Sequence, residues 1–259
     1  MTEILRLLIE LSGLGAQLSW ASFLVFLRVG AVMAVLPAFG EQSVPQRVRL
    51  VLTLAFTAVV TPAVAHDITA SADGLALPMA VEVVAGLAIG IALRLLVMAL
   101  QMAGTIAAQA TSLSQVFGGM TPDPQPAIGH VLMVSGLALA VWSGLHVRVA
   151  ELLILSYAIL PPGQLPLAGD LAQWGQHQVI KAFALAFTLA APFVIASVIY
   201  NLALGVINRA MPQLMVSFVG APALSLGGLA LFALVAPLAL GVWVQALGEF
   251  LDTPFLVAP

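Results

Sequence analysis

The sequence has no cysteine and very little charge. Eight Lys and Arg and eleven Asp and Glu make up 7% of its 259 residues, whereas soluble domains carry about 25% charged residues. The absence of cysteine excludes disulfides, thiolate nucleophiles and cysteine metal ligands. Because the basic residues are scattered singly, they do not form the clusters that bind phosphates, and no nucleic-acid partner is expected.

What the chain has instead is apolar residues, which make up 62% of it. Long apolar runs bounded by charge, Pro or Gly cover positions 14–36, 48–65, 79–108, 127–145, 179–204 and 214–247. Most of them exceed the ~20 residues that a helix needs to cross ~30 Å of hydrocarbon. A shorter run at 147–160 contains Glu151 and predicts a buried or interfacial helix. The sequence therefore predicts an all-α, polytopic membrane-associated protein of long, bent apolar helices and helical hairpins.

The N-terminal apolar stretch from Leu11 to Leu36 is too long for the core of a signal peptide, which spans about 7–15 residues. We expect it to be retained. The segments between the apolar runs are rich in Pro and Gly, which end helices.

Two arginines, Arg28 and Arg94, lie well inside long apolar runs. A guanidinium facing lipid there would cost on the order of 3 kcal/mol, so both should face protein or water. For Arg28, two readings stay open: a buried side chain capped by carbonyl groups, or a contact that orients one subunit on the next.

Small and polar residues recur near one face of the run at 79–108, at spacings of four and seven. They are Glu82, Gly86, Gly90, Arg94, Gln101 and Gly104. Glu82 and Arg94 are about 18 Å apart along a helix, so each needs another partner. The Gly86 and Gly90 pair predicts close helix packing, either within the chain or against a partner. A similar stripe passes through Asn201.

The segment 112–126 joins two apolar runs and combines a Gly pair and three prolines with an apolar tip. Its candidate site residues are Ser112, Val116, Phe117, Gly118, Gly119, Met120, Asp123 and Pro124. A loop with so many apolar residues is unsuited to free water. It is either a turn buried against its neighbours or a plug in a protein-lined pore, where non-helical backbone is tolerated at membrane depth.

No catalytic, metal or cofactor motif is present. No His pair has zinc-binding spacing, no G-x-S-x-G elbow surrounds an intramembrane serine, and no Walker A loop exists. We therefore expect no enzyme activity, no metal and no cofactor. The long runs also lack a carboxylate near their centres, which disfavours the alternative of a stand-alone ion-coupled transporter.

Several motifs, taken in order, resemble the FliR and SctT family of type III export-gate proteins. They are Arg28 to Pro37, Pro45 to Arg49, Gly86 to Gly104, Asp123-Pro124, Gly144 to His146, and Arg209 to Gln213 with Gly220. The likeness covers nearly the whole chain. It favours a flagellar role over the equivalent virulence secretion role.

The resemblance implies a single export-gate domain, 1–259, with a FliP-like part at 1–172 and a FliQ-like helical hairpin at 173–259. The implied partners are FliP and FliQ subunits, FlhB nearby, unfolded export substrates in transit and membrane lipid. The implied location is the bacterial inner membrane at the flagellar basal body, where the 112–126 loop would help to close a pore. A subunit or buried polar interface is assigned to Arg28, Glu82, Gly86, Gly90, Arg94, Gln101, Gly104, Asn201, Arg209, Pro212 and Gln213.

Overall fold

The fold was described from a computed structural model. The structure describes residues 2–40, 44–66, 68, 75–111, 127–211 and 216–255. At 2–14 and 216–223 it describes only the backbone. The described part contains seven α-helices and no strand. They are α1 (Thr2–Val35), α2 (Gln46–Val64), α3 (Ala76–Thr111), α4 (Ala127–Trp142), α5 (Leu145–Ile159), α6 (Ala168–Ala210) and α7 (Val216–Asp252).

Five of these helices contain stretches long and apolar enough to cross a membrane, namely those in α1, α2, α3, α6 and α7. The pair α4 and α5 makes a sixth if a broken span is counted. The predicted fold class, an all-α polytopic membrane protein, is confirmed.

The helices match the predicted apolar runs in number and order, but several are longer. Helix α6 begins at Ala168 and not near 179, and α7 ends at Asp252 and not near 247. Apolar runs mark the part of a helix that suits hydrocarbon, whereas charged residues have ordinary helix propensity and allow it to continue. Asp170 in the first turn of α6 and Arg209 in its last turn also complement the helix dipole.

Helices α4 and α5 are separated by a sharp break at Ser143 and Gly144. Gly144 has φ 84°, in the left-handed region that glycine adopts without steric cost. The apolar run predicted at 127–145 is therefore interrupted before its end, at a glycine that permits the break.

The chain forms two compact units. The first consists of Met1–Arg94, Ser143–Gln178 and Glu249–Pro259, and the second of Leu95–Trp142 and Val179–Gly248. In the first unit, Trp174 near the start of α6 donates a 2.8 Å hydrogen bond to the carbonyl of Pro254, just after α7. Further along, the rings of Phe193 in α6 and Phe232 in α7 are 6.5 Å apart, so the order of contacts is reversed and the two helices run antiparallel.

Helix α2, in the first unit, is amphipathic in the reverse sense of a soluble helix. Its buried face includes Thr53, Thr57 and Thr61, whereas Val51 and Leu54 are 64% and 52% exposed. The Thr53 and Thr57 hydroxyls donate to the carbonyls four residues earlier, so their burial does not require a second helix to pair with them. An apolar outer face opposite an inner face that contains three threonines beside Val60 and Val64 suits lipid or another protein, not water.

The second unit is held by close backbone approach and one buried tryptophan. A Cβ at Gly104 of α3 would overlap the Cα of Gly129 in α4. Trp243 of α7 is fully buried and donates a 2.7 Å hydrogen bond to the carbonyl of Leu96. Small residues let the helices approach closely, as is common where packing in lipid must replace the hydrophobic effect.

Candidate functional site

A buried polar cluster lies in the first unit, where α1, α3 and α5 meet. Its centre is Arg28, which, like Glu82, is entirely buried. The Arg28 Nε donates to Glu82 Oε2 at 2.6 Å, and an Nη donates to Oε1 at 3.1 Å. The ion pair is therefore bidentate, the geometry in which arginine binds a carboxylate most specifically.

The remaining donors of Arg28 point to α5. One Nη donates to the Ser156 hydroxyl at 2.9 Å, and the other also donates to the carbonyl of Leu160 at 2.8 Å. Leu160 directly follows α5, where the last carbonyls have no partner within the helix. Arg28 thus satisfies one of them and links the end of α5 to α1.

Tyr157 completes the cluster from two directions. Its ring centroid is 3.7 Å from the Arg28 Cζ, which is cation–π geometry, and its hydroxyl donates to Glu82 Oε2 at 2.9 Å. The Ser156 hydroxyl in turn donates to the carbonyl of Leu153 at 2.6 Å. Each polar group in the cluster is therefore hydrogen-bonded, the condition under which ionic groups are tolerated in an apolar interior.

The cluster is suited to holding helices in place. Removing two charges from water costs several kcal/mol, and replacing a buried pair by apolar residues is often neutral. The cluster therefore contributes mainly by specifying one arrangement of the three helices. In any arrangement that separates the ion pair, each charge would be buried without a partner.

Gly86 and Gly90 bring α3 close to α1 beside this cluster. A Cβ at Gly86 would overlap the carbonyl oxygen of Arg28 and come within 2.8 Å of Ala31 Cβ. At Gly90 a Cβ would lie 3.2 Å from the carbonyl oxygen of Val32. Gly86 and Gly90 therefore pack against α1 of the same chain.

Arg94 does not share the buried face of Glu82, Gly86 and Gly90, which corrects the face assignment made from the sequence. Glu82, Gly86 and Gly90 are buried, whereas Arg94 is exposed. Twelve residues at 3.6 per turn rotate Arg94 by about 120° from Glu82, beyond the edge of the packed stripe. The partner that Glu82 required is Arg28.

Gln101 and Gly104 lie in the second unit. The half-buried Gln101 amide contacts the Met133 sulfur on α4 at 2.6 Å, and Gly104 lies against Gly129. Gln101 also lines an open groove of about 280 Å³ between α3 and α6, whose other walls include Met98 and Phe187.

The other predicted residues are dispersed. Asn201 is exposed on α6 and donates a 3.2 Å hydrogen bond to the Ser197 hydroxyl, and Arg209 is exposed in the last turn. Pro212 and Gln213 lie outside the described residues, as does the whole 112–126 segment with its candidate plug residues.

Sequence reasoning missed Tyr157 and the role of Ser156 as an acceptor from Arg28. The available signal was weak: two adjacent polar residues in an apolar helix, with nothing to indicate which distant charge they would meet. Ser156 also donates within its own helix, to the carbonyl of Leu153.

Within the described residues, no group of three or more His, Cys, Asp or Glu side chains is placed to hold a metal ion. In the cluster itself, the tyrosine hydroxyl and the serine hydroxyl are engaged by the ion pair. The arrangement fixes the positions of α1, α3 and α5 at this point.

Known proteins match this chain along most of its length. The family model described as bacterial export proteins, family 1, matches residues 19–250. Flagellar biosynthetic protein FliR of Caulobacter vibrioides is 33% identical over 238 residues, covering 90% of this chain and 95% of the relative. Its namesake in Escherichia coli strain K12 is 30% identical over 233 residues, covering 85% and 87%. That of Bacillus subtilis strain 168 is 26% identical over 208 residues, covering 78% and 80%.

The fold and the matches define the class: a polytopic, all-α membrane protein of bacterial protein export. Within that class, the chain belongs to the family of the flagellar biosynthetic protein FliR. Membership gives it a role in a flagellar export apparatus, and its apolar helices are consistent with a membrane location.

Proposed function

We propose that this chain is a subunit of the flagellar export gate and helps to form and close the pore through which unfolded flagellar subunits cross the inner membrane. It is a non-catalytic component positioned at the base of the flagellum. The observation that carries the proposal is the likeness over most of the chain to proteins named for flagellar biosynthesis. Those names also favour the flagellar role over the virulence one.

The proposed partners are FliP and FliQ chains, with FlhB nearby, and the chain's surfaces support such an assembly. Both faces of α6 beyond Pro192 are largely exposed and apolar, with Val198, Leu202 and Val206 between 61% and 70% exposed. Asn201 and Arg209 lie on this same part of the helix. Polar groups on an otherwise apolar surface are better accommodated by neighbouring protein than by lipid alone.

We also propose that the chain is a single gate domain that combines two kinds of helical unit, FliP-like at 1–172 and FliQ-like at 173–259. The antiparallel pair α6 and α7, joined by the Trp174 hydrogen bond, suits the second of these.

Co-purification tests the assembly. The full chain, tagged and expressed with the candidate membrane partners, should co-elute in mild detergent with both FliP and FliQ, and a strain lacking it should secrete no flagellar filament protein until the gene is restored. A chain that is active in detergent as a lone monomer would instead support the stand-alone transporter.

For the 112–126 segment we propose a plug whose apolar residues Val116, Phe117 and Met120 exclude water and ions, while Gly118 and Gly119 allow it to move aside. Deleting Val116 to Met120 should raise ion leakage through the assembled gate, measured as loss of membrane potential. A deletion of the same length at Thr69 to Asp73, in another connection, is the matched control. Equal leakage from the two deletions would contradict the plug.

A further inference from the structure

One narrow stripe of α3 in the first unit is exposed along its whole length, while the rest of that helix is mostly buried. Its members are spaced alternately by three and four residues: Leu77, Ala80, Val84, Leu87, Ile91 and Arg94. We call these six residues the α3 seam. The apolar members other than Ala80 are between 36% and 50% exposed.

The spacing of the α3 seam is that of a helix contact. A repeat of three and four residues averages 3.5 per turn, the period at which two helices stay in contact while winding gently around each other. From Leu77 to Arg94 the seam extends about 25 Å at 1.5 Å per residue, long enough to contact more than four turns of another helix.

Arg94 is the single charged member of the seam and makes no hydrogen bond or ion pair with another described residue. The buried carboxylate on the same helix, Glu82, is held by Arg28, and Asp252 is held by Arg148. An apolar surface with one guanidinium at its end therefore lacks a counter-charge among the described parts of this chain.

Lipid provides a poor counter-charge at this position. Arg94 is 18 residues from the first residue of α3 and 17 from the last. If α3 were shifted across the membrane until Arg94 reached the lipid headgroups, one half of the helix would leave the hydrocarbon. Residues 76–93 carry Glu82 as their only charge and residues 95–111 carry none, so neither half suits water.

A second copy of this chain is also a poor occupant. Placing α3 against α3 would bring Arg94 towards apolar residues or another Arg94, because the only acidic side chain on α3 is Glu82, which is fully buried and paired. Like charges on an apolar interface are strongly unfavourable.

We propose that the α3 seam is the docking surface for an apolar helix of a different membrane chain of the export apparatus, and that this helix presents an Asp or Glu side chain to Arg94. The inference deepens the proposed gate function and rests on it. The apolar members of the seam exclude water from the contact, and the ion pair fixes the register of one helix on the other, the best-attested use of a charged group in such a contact.

Charge reversal tests the ion pair. In the assembled, detergent-extracted complex, Arg94→Glu should reduce the partner chain retained on the tagged protein by at least about tenfold, because it places two carboxylates together. Arg94→Lys keeps the charge and should retain most of the partner. Arg47→Glu, an equal charge reversal at an exposed position at the start of α2, is the matched control and should retain the wild-type amount.

Rescue identifies the opposing group. Each Asp or Glu in the apolar helices of the retained chains is changed to Arg in combination with Arg94→Glu, and one of these pairs should restore retention. Wild-type amounts of partner on Arg94→Glu, or equal loss with Arg47→Glu, would overturn the ion pair.

A photocrosslinker at Ile91 in the otherwise unchanged protein tests the seam without disturbing Arg94. It should capture a polypeptide different from this chain. Capture of lipid alone, or of a second copy of this chain, would overturn the docking surface. If the wild-type chain itself retains no membrane partner, the proposed gate function is wrong. If the wild-type chain and Arg94→Glu retain the partner equally, only this inference is wrong.

Discussion

The Arg28 guanidinium and the Glu82 carboxylate form a fully buried ion pair, with Nε and Oε2 2.6 Å apart, that joins α1 to α3. Ser156, Tyr157 and the carbonyl of Leu160 bring α5 to the same point. Three helices that are distant in sequence thus depend on one set of polar contacts.

Removing one charge of this pair should be far more damaging than removing both. We expect Arg28→Met or Glu82→Leu alone to lower the free energy of unfolding by about 3–5 kcal/mol, because the remaining charge is buried unpaired. The double variant should recover a substantial part of the loss. Denaturant unfolding in detergent measures all three, as a double-mutant cycle.

The matched control is the exposed ion pair of Arg148 with Asp252, whose side chains are 37% and 64% exposed. Arg148→Met should cost no more than about 1 kcal/mol, because water already solvates both groups. If it proved as damaging as Arg28→Met, burial would not be the source of the effect.

The close approach of α3 to α1 should make Gly86 intolerant of any side chain. Gly86→Ala places a Cβ against the backbone of Arg28, which cannot move without shifting α1, so we expect a loss of about 1–3 kcal/mol from overpacking. A Cβ at Gly205 in α6 meets nothing within 4 Å. Gly205→Ala should therefore be neutral or stabilise the fold by up to about 1 kcal/mol through helix propensity. Thermal unfolding of the two variants in one detergent compares them directly; a similar shift in both would contradict the packing.

Two tryptophans in the second unit provide another matched pair. Trp243 is fully buried and its indole Nε1 donates to the carbonyl of Leu96, whereas Trp142 is 89% exposed. Trp243→Phe removes this second donor to the Leu96 carbonyl, which also accepts within α3, and leaves unfilled space where the larger ring was, so it should cost about 1–3 kcal/mol. Trp142→Phe should stay within about 0.5 kcal/mol. Tryptophan fluorescence during unfolding follows each variant, and equal stability would show that the hydrogen bond contributes nothing.

The reversed amphipathicity of α2 predicts an unusual response to surface charge. On a water-facing helix, Leu54→Lys at a half-exposed position would be nearly neutral. On a surface facing lipid or protein, it should cost about 2.5–3.5 kcal/mol and lower recovery in the membrane fraction. Gln46→Lys adds the same charge at the exposed start of α2 and should leave recovery unchanged. The measurement is the amount of folded protein extracted from membranes; wild-type recovery of Leu54→Lys would mean that this face meets water.

The seven helices of the described residues could be predicted in the right order from the sequence, because apolar run length is a local property. The predicted ends were less accurate: Gln173, Trp174 and His177 belong to α6 although they precede the apolar run predicted at 179–204. Helix propensity tolerates such residues, so hydropathy alone could not place the boundary.

The pairing in the buried cluster could not be predicted in the same way. Arg28 was expected to face protein or water, but its partners could not be named, because Glu82 lies 54 positions away and Ser156 lies 128 positions away. Whether they meet depends on which helices pack together. For Arg94, spacings of four and seven residues predicted the same helix face as Glu82, whereas the accumulated helical rotation places it on the exposed α3 seam.

Composition, run length and motif order are properties of the chain in one dimension, and they are enough to show that this chain is helical, that it avoids water over much of its surface, and which family it resembles. The pairing of Arg28 with Glu82 within the chain, and the exposure of Arg94, follow instead from how the helices pack. The reason is physical: the solvation and partner of a charge depend on what surrounds it in space, and residues brought together by packing leave no mark of their proximity in the sequence.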